Sequence, residues 1–141
     1  MHSLNLERKL DTKPLFAFDA FTEPDLIVRW FAPGDMTVPD AVLDFRLDGE
    51  FTIIMQEPTG ETCTVRGRYL EIIEDEKLRF SWKWDHGETT SEVTVLFAEL
   101  ENDKTLVTLI HQGLAEEEHK DNHLKGWNGC LDKLQAMFSI R

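Results

Sequence analysis

Basic residues are scarce in this sequence, and so are cysteines. Its 141 residues include 15 lysines and arginines against 27 aspartates and glutamates, which gives a formal net charge of −12. Nucleic acids and anionic membranes attract proteins through clustered basic residues, so the composition argues against both as partners and favours a role of the charge in solubility. Two cysteines, Cys63 and Cys130, make no disulfide framework and favour a reduced, cytoplasmic compartment.

Long hydrophobic runs are also missing. Residues 1–13 contain no apolar segment of the kind found in a secretion signal, and no later stretch approaches the roughly 18 apolar residues of a membrane span. A length of 141 residues is usual for one domain, and the sequence contains no internal repeat or low-complexity linker. We therefore expect a single domain over residues 1–141 and no membrane insertion.

The hydrophobic period changes along the chain and predicts the order of the elements. Alternation over residues 4–10 indicates a first strand, and near-helical spacing predicts short helices over residues 13–21 and 22–31. From about Ala41 to Ile110 the period is two, and turn residues divide the segment into about six strands. Short connections between such strands are typical of an antiparallel sheet.

The last segment, residues 116–140, returns to a helical period. Its apolar stripe must be buried, and the predicted sheet is the large apolar surface available to it. Gly126 and Gly129 lie inside this helix, where glycine is unfavourable, and they predict a close backbone approach. The order of elements predicts an α+β fold: a curved antiparallel sheet of about seven strands, two short helices after strand 1, and a long C-terminal helix packed across the sheet.

Several segments resemble one known family. They are residues 18–26 with Trp30, residues 44–51, Gly67 with residues 78–82, residues 91–95, residues 109–114 and residues 123–131. They resemble proteins similar to the activator of the heat-shock-chaperone ATPase, which belong to the START-like (SRPBCC) helix-grip superfamily that includes the birch-pollen allergen fold. The resemblance covers nearly the whole chain and implies an apolar cavity between sheet and C-terminal helix. The asparagine-rich chaperone-stimulating motif of the full-length eukaryotic activators is not found in the sequence.

The resemblance also implies which side chains could line that cavity, although aromatic residues at strand or helix spacing also form ordinary core. Arg46 and His111 are candidate polar anchors, because guanidinium and imidazole groups can contact a ligand at a cavity mouth. Alternatively, Arg46 pairs with a surface acid and His111 anchors the turn before the helix. The candidate lining residues are Trp30, Phe45, Phe51, Tyr69, Phe80, Trp82, Val95, Ile110, Trp127, Leu131 and Phe138.

Motifs for catalysis or metal binding are weak. His119 and His123 stand four residues apart, a spacing that can present two metal ligands, but the glutamate of the H-E-x-x-H pattern is missing. A solvated helix start is the favoured interpretation, and no metal or cofactor is expected. The sequence favours non-catalytic binding of a small hydrophobic or amphipathic ligand by a monomer or homodimer. Two alternatives remain: a chaperone-associated or stress-response protein acting by surface contacts, and a cyclase- or aromatase-like enzyme on the same cavity.

Overall fold

The structure is a computed structural model, and it describes residues 2–138. The described residues form seven strands and three helices, in the order along the chain that the sequence predicts. Their bounds are β1 His2–Leu10, α1 Pro14–Thr22, α2 Pro24–Ile27, β2 Thr37–Leu43, β3 Glu50–Gln56, β4 Thr62–Ile73, β5 Lys77–Trp84, β6 Ser91–Leu100, β7 Lys104–Leu114 and α3 Glu117–Met137.

The strands form one antiparallel sheet in the order β1-β7-β6-β5-β4-β3-β2. From β2 to β7 each strand pairs with its neighbour in sequence, because short turns join them as hairpins. The first strand pairs with the last one, so β1 and β2 form the two edges of the sheet. This architecture confirms the predicted α+β helix-grip fold.

Helix α3 is attached to the sheet through Arg8 on β1. The guanidinium of Arg8 donates to Asp132 Oδ1 at 2.7 Å, to Gln135 Oε1 at 2.8 Å and to Asn128 Oδ1 at 2.8 Å. Gln135 Nε2 in turn donates to the carbonyl oxygen of Lys9 at 3.0 Å. These bonds fix the second half of α3 over the β1 edge, and the apolar stripe of the helix packs into the core through Trp127, Cys130, Leu131 and Leu134.

The two glycines of α3 have different surroundings. A Cβ atom at Gly129 would lie 2.7 Å from Pro33 Cβ, so the predicted close approach is confirmed there. A Cβ atom at Gly126 would meet no atom within 4 Å, so the same prediction is wrong for Gly126. The helix begins one residue later than predicted, and the predicted end at residue 140 lies outside the described residues.

The bounds of β2 and α2 also differ from the prediction. The second strand was expected from about residue 41 to residue 47, but β2 begins at Thr37 and ends at Leu43. Residues 46–49 form a turn in which the Gly49 N–H donates to the Arg46 carbonyl oxygen, and Asp48 takes a positive φ of 64° that ends the alternation. Helix α2 ends at Ile27 rather than near residue 31, because turns continue the chain from there.

No helix within residues 2–138 has the length and apolar composition needed to cross a membrane.

Candidate functional site

One part of the interior is filled by side chains that are candidate cavity-lining residues. Phe51, Tyr69 and Phe80 surround a void of only about 10 Å³. Phe51 and Phe80 pack edge to face with ring centroids 5.4 Å apart, and Phe51 and Tyr69 are 5.5 Å apart. A void of this size has no room for a ligand, so these three candidates are core residues in the structure.

Other candidates also lie in packed surroundings. Trp30 is fully buried and donates its indole N–H to the Ala20 carbonyl oxygen at 2.9 Å. Phe45 packs on Tyr69 with ring centroids 5.0 Å apart. Val95 and Leu131 are buried in the core, and Phe138 packs half-buried against it after the end of α3.

Ile110 and Arg46 lie away from the space between sheet and helix. Side chains alternate across a strand, and His111 is on the buried face of β7, so its neighbour Ile110 points to the other face. The Arg46 side chain is 72% exposed and pairs with Asp44 at 2.9 Å, as the surface-pair alternative expects.

A cavity of about 460 Å³ opens where the ends of β5 and β7 meet the start of α3. We call it the outer chamber. Its wall combines tryptophan and histidine rings with polar side chains and backbone of the connecting turns. It is lined by Trp82, Trp84, His86, Gly87, Glu88, Thr89, Ser91, Gly113, Leu114, Ala115, His119, Asn122 and His123.

A second cavity of about 190 Å³ adjoins the first and is more apolar. We call it the inner chamber. Four residues, Trp82, Trp84, Asn122 and His123, line both chambers, so the two cavities share one wall. The rest of the inner chamber is lined by Phe31, Pro33, Met36, Met55, Cys63, Gly126, Trp127 and Cys130.

A hydrogen bond between Trp84 and His123 forms part of the shared wall. The Trp84 indole N–H donates to His123 Nε2 at 3.0 Å, and His123 Nδ1 donates to the His119 carbonyl oxygen at 2.7 Å. This arrangement requires a neutral imidazole with its proton on Nδ1. Trp84 also stacks on His86, with ring centroids 5.8 Å apart and an interplanar angle of 15°.

His111 repeats this pattern immediately behind the wall. The Trp127 indole N–H donates to His111 Nδ1 at 3.1 Å, and His111 Nε2 lies 2.7 Å from Ser91 Oγ. Because Nδ1 accepts, Nε2 carries the proton and donates to the serine. Burial and, to a smaller extent, the nearby His123 ring, with centroids 4.7 Å apart, together lower the pKa of His111 to about 3. Burial also lowers the pKa of His123, so both imidazoles are neutral near pH 7.

Trp82 lies at the centre of this cluster. It is 4% exposed, and its ring contacts Phe31, Trp84 and Trp127 at centroid distances between 5.1 and 5.8 Å. Its indole Nε1 is buried with no hydrogen-bond partner in the described part of the chain. Trp82 is therefore surrounded by aromatic rings and contributes an apolar face to the shared wall.

Both cysteines of the sequence line the inner chamber. Burial raises the pKa of the Cys130 thiol to about 12. Burial and, to a smaller extent, the nearby Glu57 carboxylate raise the pKa of Cys63. Both sulfurs are therefore protonated near neutral pH and contribute a soft, apolar lining together with Met36 and Met55.

A metal site is not supported by the geometry. Residues 2–138 contain no group of three or more histidine, cysteine, aspartate or glutamate side chains placed to hold an ion. His119 is exposed, as a solvated helix start predicts, but His123 is half-buried and both of its ring nitrogens are hydrogen-bonded. The interpretation of this pair as a purely solvated helix start is therefore wrong for His123.

The structure thus brings Trp82, Trp127 and His111 together and adds residues that the sequence analysis did not select. Trp84, His86 and His123 belong to the site, although the sequence leaves Trp84 open between cavity lining and core, indicates a turn at His86 and favours a solvated helix start for His123. The available signal is positional: four of the five histidines, His86, His111, His119 and His123, lie near the C-terminal ends of β5 and β7 or in the first two turns of α3.

A seven-stranded antiparallel sheet that holds a C-terminal helix, with chambers between them, defines a helix-grip protein. The profile of the family described as "Activator of Hsp90 ATPase homolog 1-like protein" matches residues 11–139, and the chain belongs to this family. The sequence matches none of the curated proteins.

Solved structures share the fold over nearly the whole chain. Protein CV1439 from Chromobacterium violaceum is 21% identical with a TM-score of 0.87, and the match covers 99% of this chain and 98% of that one. The AHSA1 protein SPO3351 from Silicibacter pomeroyi is 25% identical with a TM-score of 0.87 and 96% coverage of both chains. CalU16 from Micromonospora echinospora is 26% identical with a TM-score of 0.73, covering 96% of this chain and 74% of that chain.

Proposed function

We propose that the protein binds a small amphipathic molecule across the two chambers. The observation that carries this proposal is that the two chambers adjoin: cavities of about 460 and 190 Å³ share Trp82, Trp84, Asn122 and His123 among their lining residues. Sites for small molecules are concave, mainly apolar and about 300–1,000 Å³ in volume, and they carry a few polar groups that orient the ligand.

The two chambers differ in chemistry, which favours a ligand with two unlike ends. The inner chamber presents rings and sulfur atoms, whereas the outer chamber adds Glu88, Thr89, Ser91 and His119. An apolar end suits the former and a hydrogen-bonding end suits the latter. Because the nearby imidazoles are neutral and the protein carries a net charge of −12, an uncharged ligand is favoured over an anionic one.

Holding a ligand fits His111 and His123 better than transferring a proton. A general base needs a free lone pair within reach of the substrate. The acceptor nitrogen of His123 is bonded to the Trp84 indole, and that of His111 is bonded to the Trp127 indole. Within residues 2–138, no feature favours the cyclase-like or the chaperone-contact alternative over ligand binding.

The uncharged fluorescent probe N-phenyl-1-naphthylamine tests the proposal. Its fluorescence should rise on binding to the wild-type protein, and Ala115→Trp, which fills part of the outer chamber, should raise its Kd at least fivefold. Because a surface tryptophan can rotate outward, Thr89→Trp provides a second variant on the same chamber. Ala136→Trp, on an exposed position near the other end of α3, is the matched control and should leave Kd within twofold.

Failure of the probe to fluoresce with the wild-type protein would contradict the proposal. Equal affinities of the wild type and both outer-chamber variants would contradict it as well, since the probe would then bind elsewhere. Thermal unfolding of each variant without probe shows that the comparison is between folded proteins.

A further inference from the structure

We infer that the inner chamber is a subsite for an aromatic ring system of one or two fused rings, and that Gly126 keeps this subsite open. The inference rests on the proposed function and adds the chemical class of the ligand's apolar end. Three features of the described residues carry it: a helical glycine without a backbone role, a wall of rings and sulfur atoms, and the volume of the chamber.

Gly126 has neither of the usual reasons for a glycine inside a helix. Glycine there costs about 1 kcal/mol relative to alanine. A positive φ would explain it, but Gly34, Gly60 and Gly113 are the positive-φ glycines among residues 2–138. A close contact would also explain it, yet a Cβ atom at Gly126 would meet nothing within 4 Å.

The position of Gly126 supplies a different reason. It lies in the wall of the inner chamber, one turn of α3 before Cys130, which also lines that chamber. A side chain at position 126 would project from this wall into open space. Gly129, by contrast, touches Pro33 and has an ordinary packing explanation. The missing side chain at Gly126 therefore has one visible structural effect, which is chamber volume.

The lining favours a ring over a flexible alkyl chain. Aromatic rings attract one another in edge-to-face or offset contacts, and thioether or thiol sulfur contacts ring edges favourably. An apolar cavity of about 150 Å³ binds benzene, so a chamber of about 190 Å³ suits one ring or two fused rings. The side chains that present rings or sulfur to this chamber are Phe31, Met36, Met55, Cys63, Trp82, Trp84, Trp127 and Cys130.

A polar substituent on that ring would reach the outer chamber past the shared wall. Asn122 lines both chambers and supplies an amide there, next to the hydrogen-bonded pair of Trp84 and His123. The ligand class is thus an uncharged, one- or two-ring aromatic compound that bears a hydrogen-bonding substituent.

Isothermal titration calorimetry with 2-naphthol and 1-octanol tests this assignment. The wild-type protein should bind 2-naphthol more tightly than 1-octanol, because a fused ring pair matches the lining. Gly126→Leu, which fills the chamber, should weaken 2-naphthol binding at least tenfold, and Gly126→Ala should have an intermediate effect. Lys125→Leu adds the same side chain at an exposed neighbouring position of α3 and should change Kd less than twofold.

The possible results separate failure of the inner-chamber subsite from failure of the proposed function. Unchanged 2-naphthol affinity in a folded Gly126→Leu protein, verified by circular dichroism, overturns the inner-chamber assignment. The proposed function survives that result if N-phenyl-1-naphthylamine still responds to the outer-chamber variants. Tighter binding of 1-octanol than of 2-naphthol overturns the aromatic class. Absence of binding by every probe, N-phenyl-1-naphthylamine included, removes both proposals.

Discussion

Each ring nitrogen of His111 forms one hydrogen bond, although the side chain is completely buried. The Trp127 indole donates a hydrogen bond to Nδ1, and the Ser91 hydroxyl oxygen accepts one from Nε2. The Ser91 hydroxyl in turn donates to the Trp82 carbonyl oxygen at 3.4 Å. A buried polar group is tolerated when it is hydrogen-bonded in this way. The pairing holds only while the imidazole is neutral, because a protonated Nδ1 could not accept the indole N–H.

The stability of the protein should therefore fall in acid partly through His111. Its pKa is about 3 in the folded protein, against 6.5 for the free group, so the unfolded chain binds the extra proton first. The contribution is complete above pH 6.5 and is lost progressively as the pH falls towards 3. We expect a loss on the order of 4–5 kcal/mol from this group by pH 3, measured as the free energy of unfolding in urea at several pH values.

His111→Gln separates this effect from the protonation of carboxylates. Glutamine can donate and accept hydrogen bonds but does not titrate, so the variant should be less stable at pH 7 and lose less on acidification. Parallel pH curves for the wild type and the variant would show that His111 does not titrate across this range.

The two thiols give a second prediction at the residue scale. Burial holds the pKa of Cys130 at about 12 and raises that of Cys63, and thiols react as thiolates. At pH 8 the folded protein should react with iodoacetamide at least tenfold more slowly than the urea-unfolded protein, as followed by intact-mass spectrometry. Half-buried Cys63 should be modified before Cys130. Rapid modification of Cys130 in the native state would contradict the observed packing of α3.

At the scale of the elements, α3 offers a matched pair of substitutions. Gly129→Ala places a methyl group against Pro33, and overpacking of this kind costs about 1–3 kcal/mol. Gly126→Ala meets open space, so helix propensity should make it stabilising by about 0.5–1 kcal/mol. Thermal or urea unfolding should show that the two variants change the free energy of unfolding in opposite directions. Equal effects would mean that the two positions do not differ in packing.

The sequence predicted elements well where the hydrophobic period was uninterrupted. The bounds of β4 follow its long β-branched run, and the stripe of α3 identifies its buried face. Prediction failed where a local conformation broke the period: β2 ends at Leu43, and Arg46 lies in the following turn, which also contains the positive φ of Asp48. On β7, Ile110 and His111 cannot both face one cavity, because adjacent residues of a strand point to opposite sides of the sheet.

At the scale of the molecule, the position of the chambers could not be read from the sequence. The resemblance implies a cavity between sheet and C-terminal helix but not which end of the helix it adjoins, and the candidates Phe51, Tyr69 and Phe80 instead pack together. The chambers lie where the ends of β5 and β7 and the start of α3 converge, and Trp84, His111 and His123 come from these separate elements. The sizes and rotamers of the side chains decide which space is filled. The hydrophobic period of a strand or helix identifies its buried face but does not determine this packing.

The attachment of α3 to β1 through Arg8 also bears on how the chain folds. The bond from Arg8 to Asp132 joins residues 124 apart in sequence, and β1 finds its sheet partner only in β7. Contacts of such separation require a large loop to close first and are associated with slow folding. The hairpins from β2 to β7 can form locally, so β1 and α3 should be ordered last, and the chambers should become competent only in that final step.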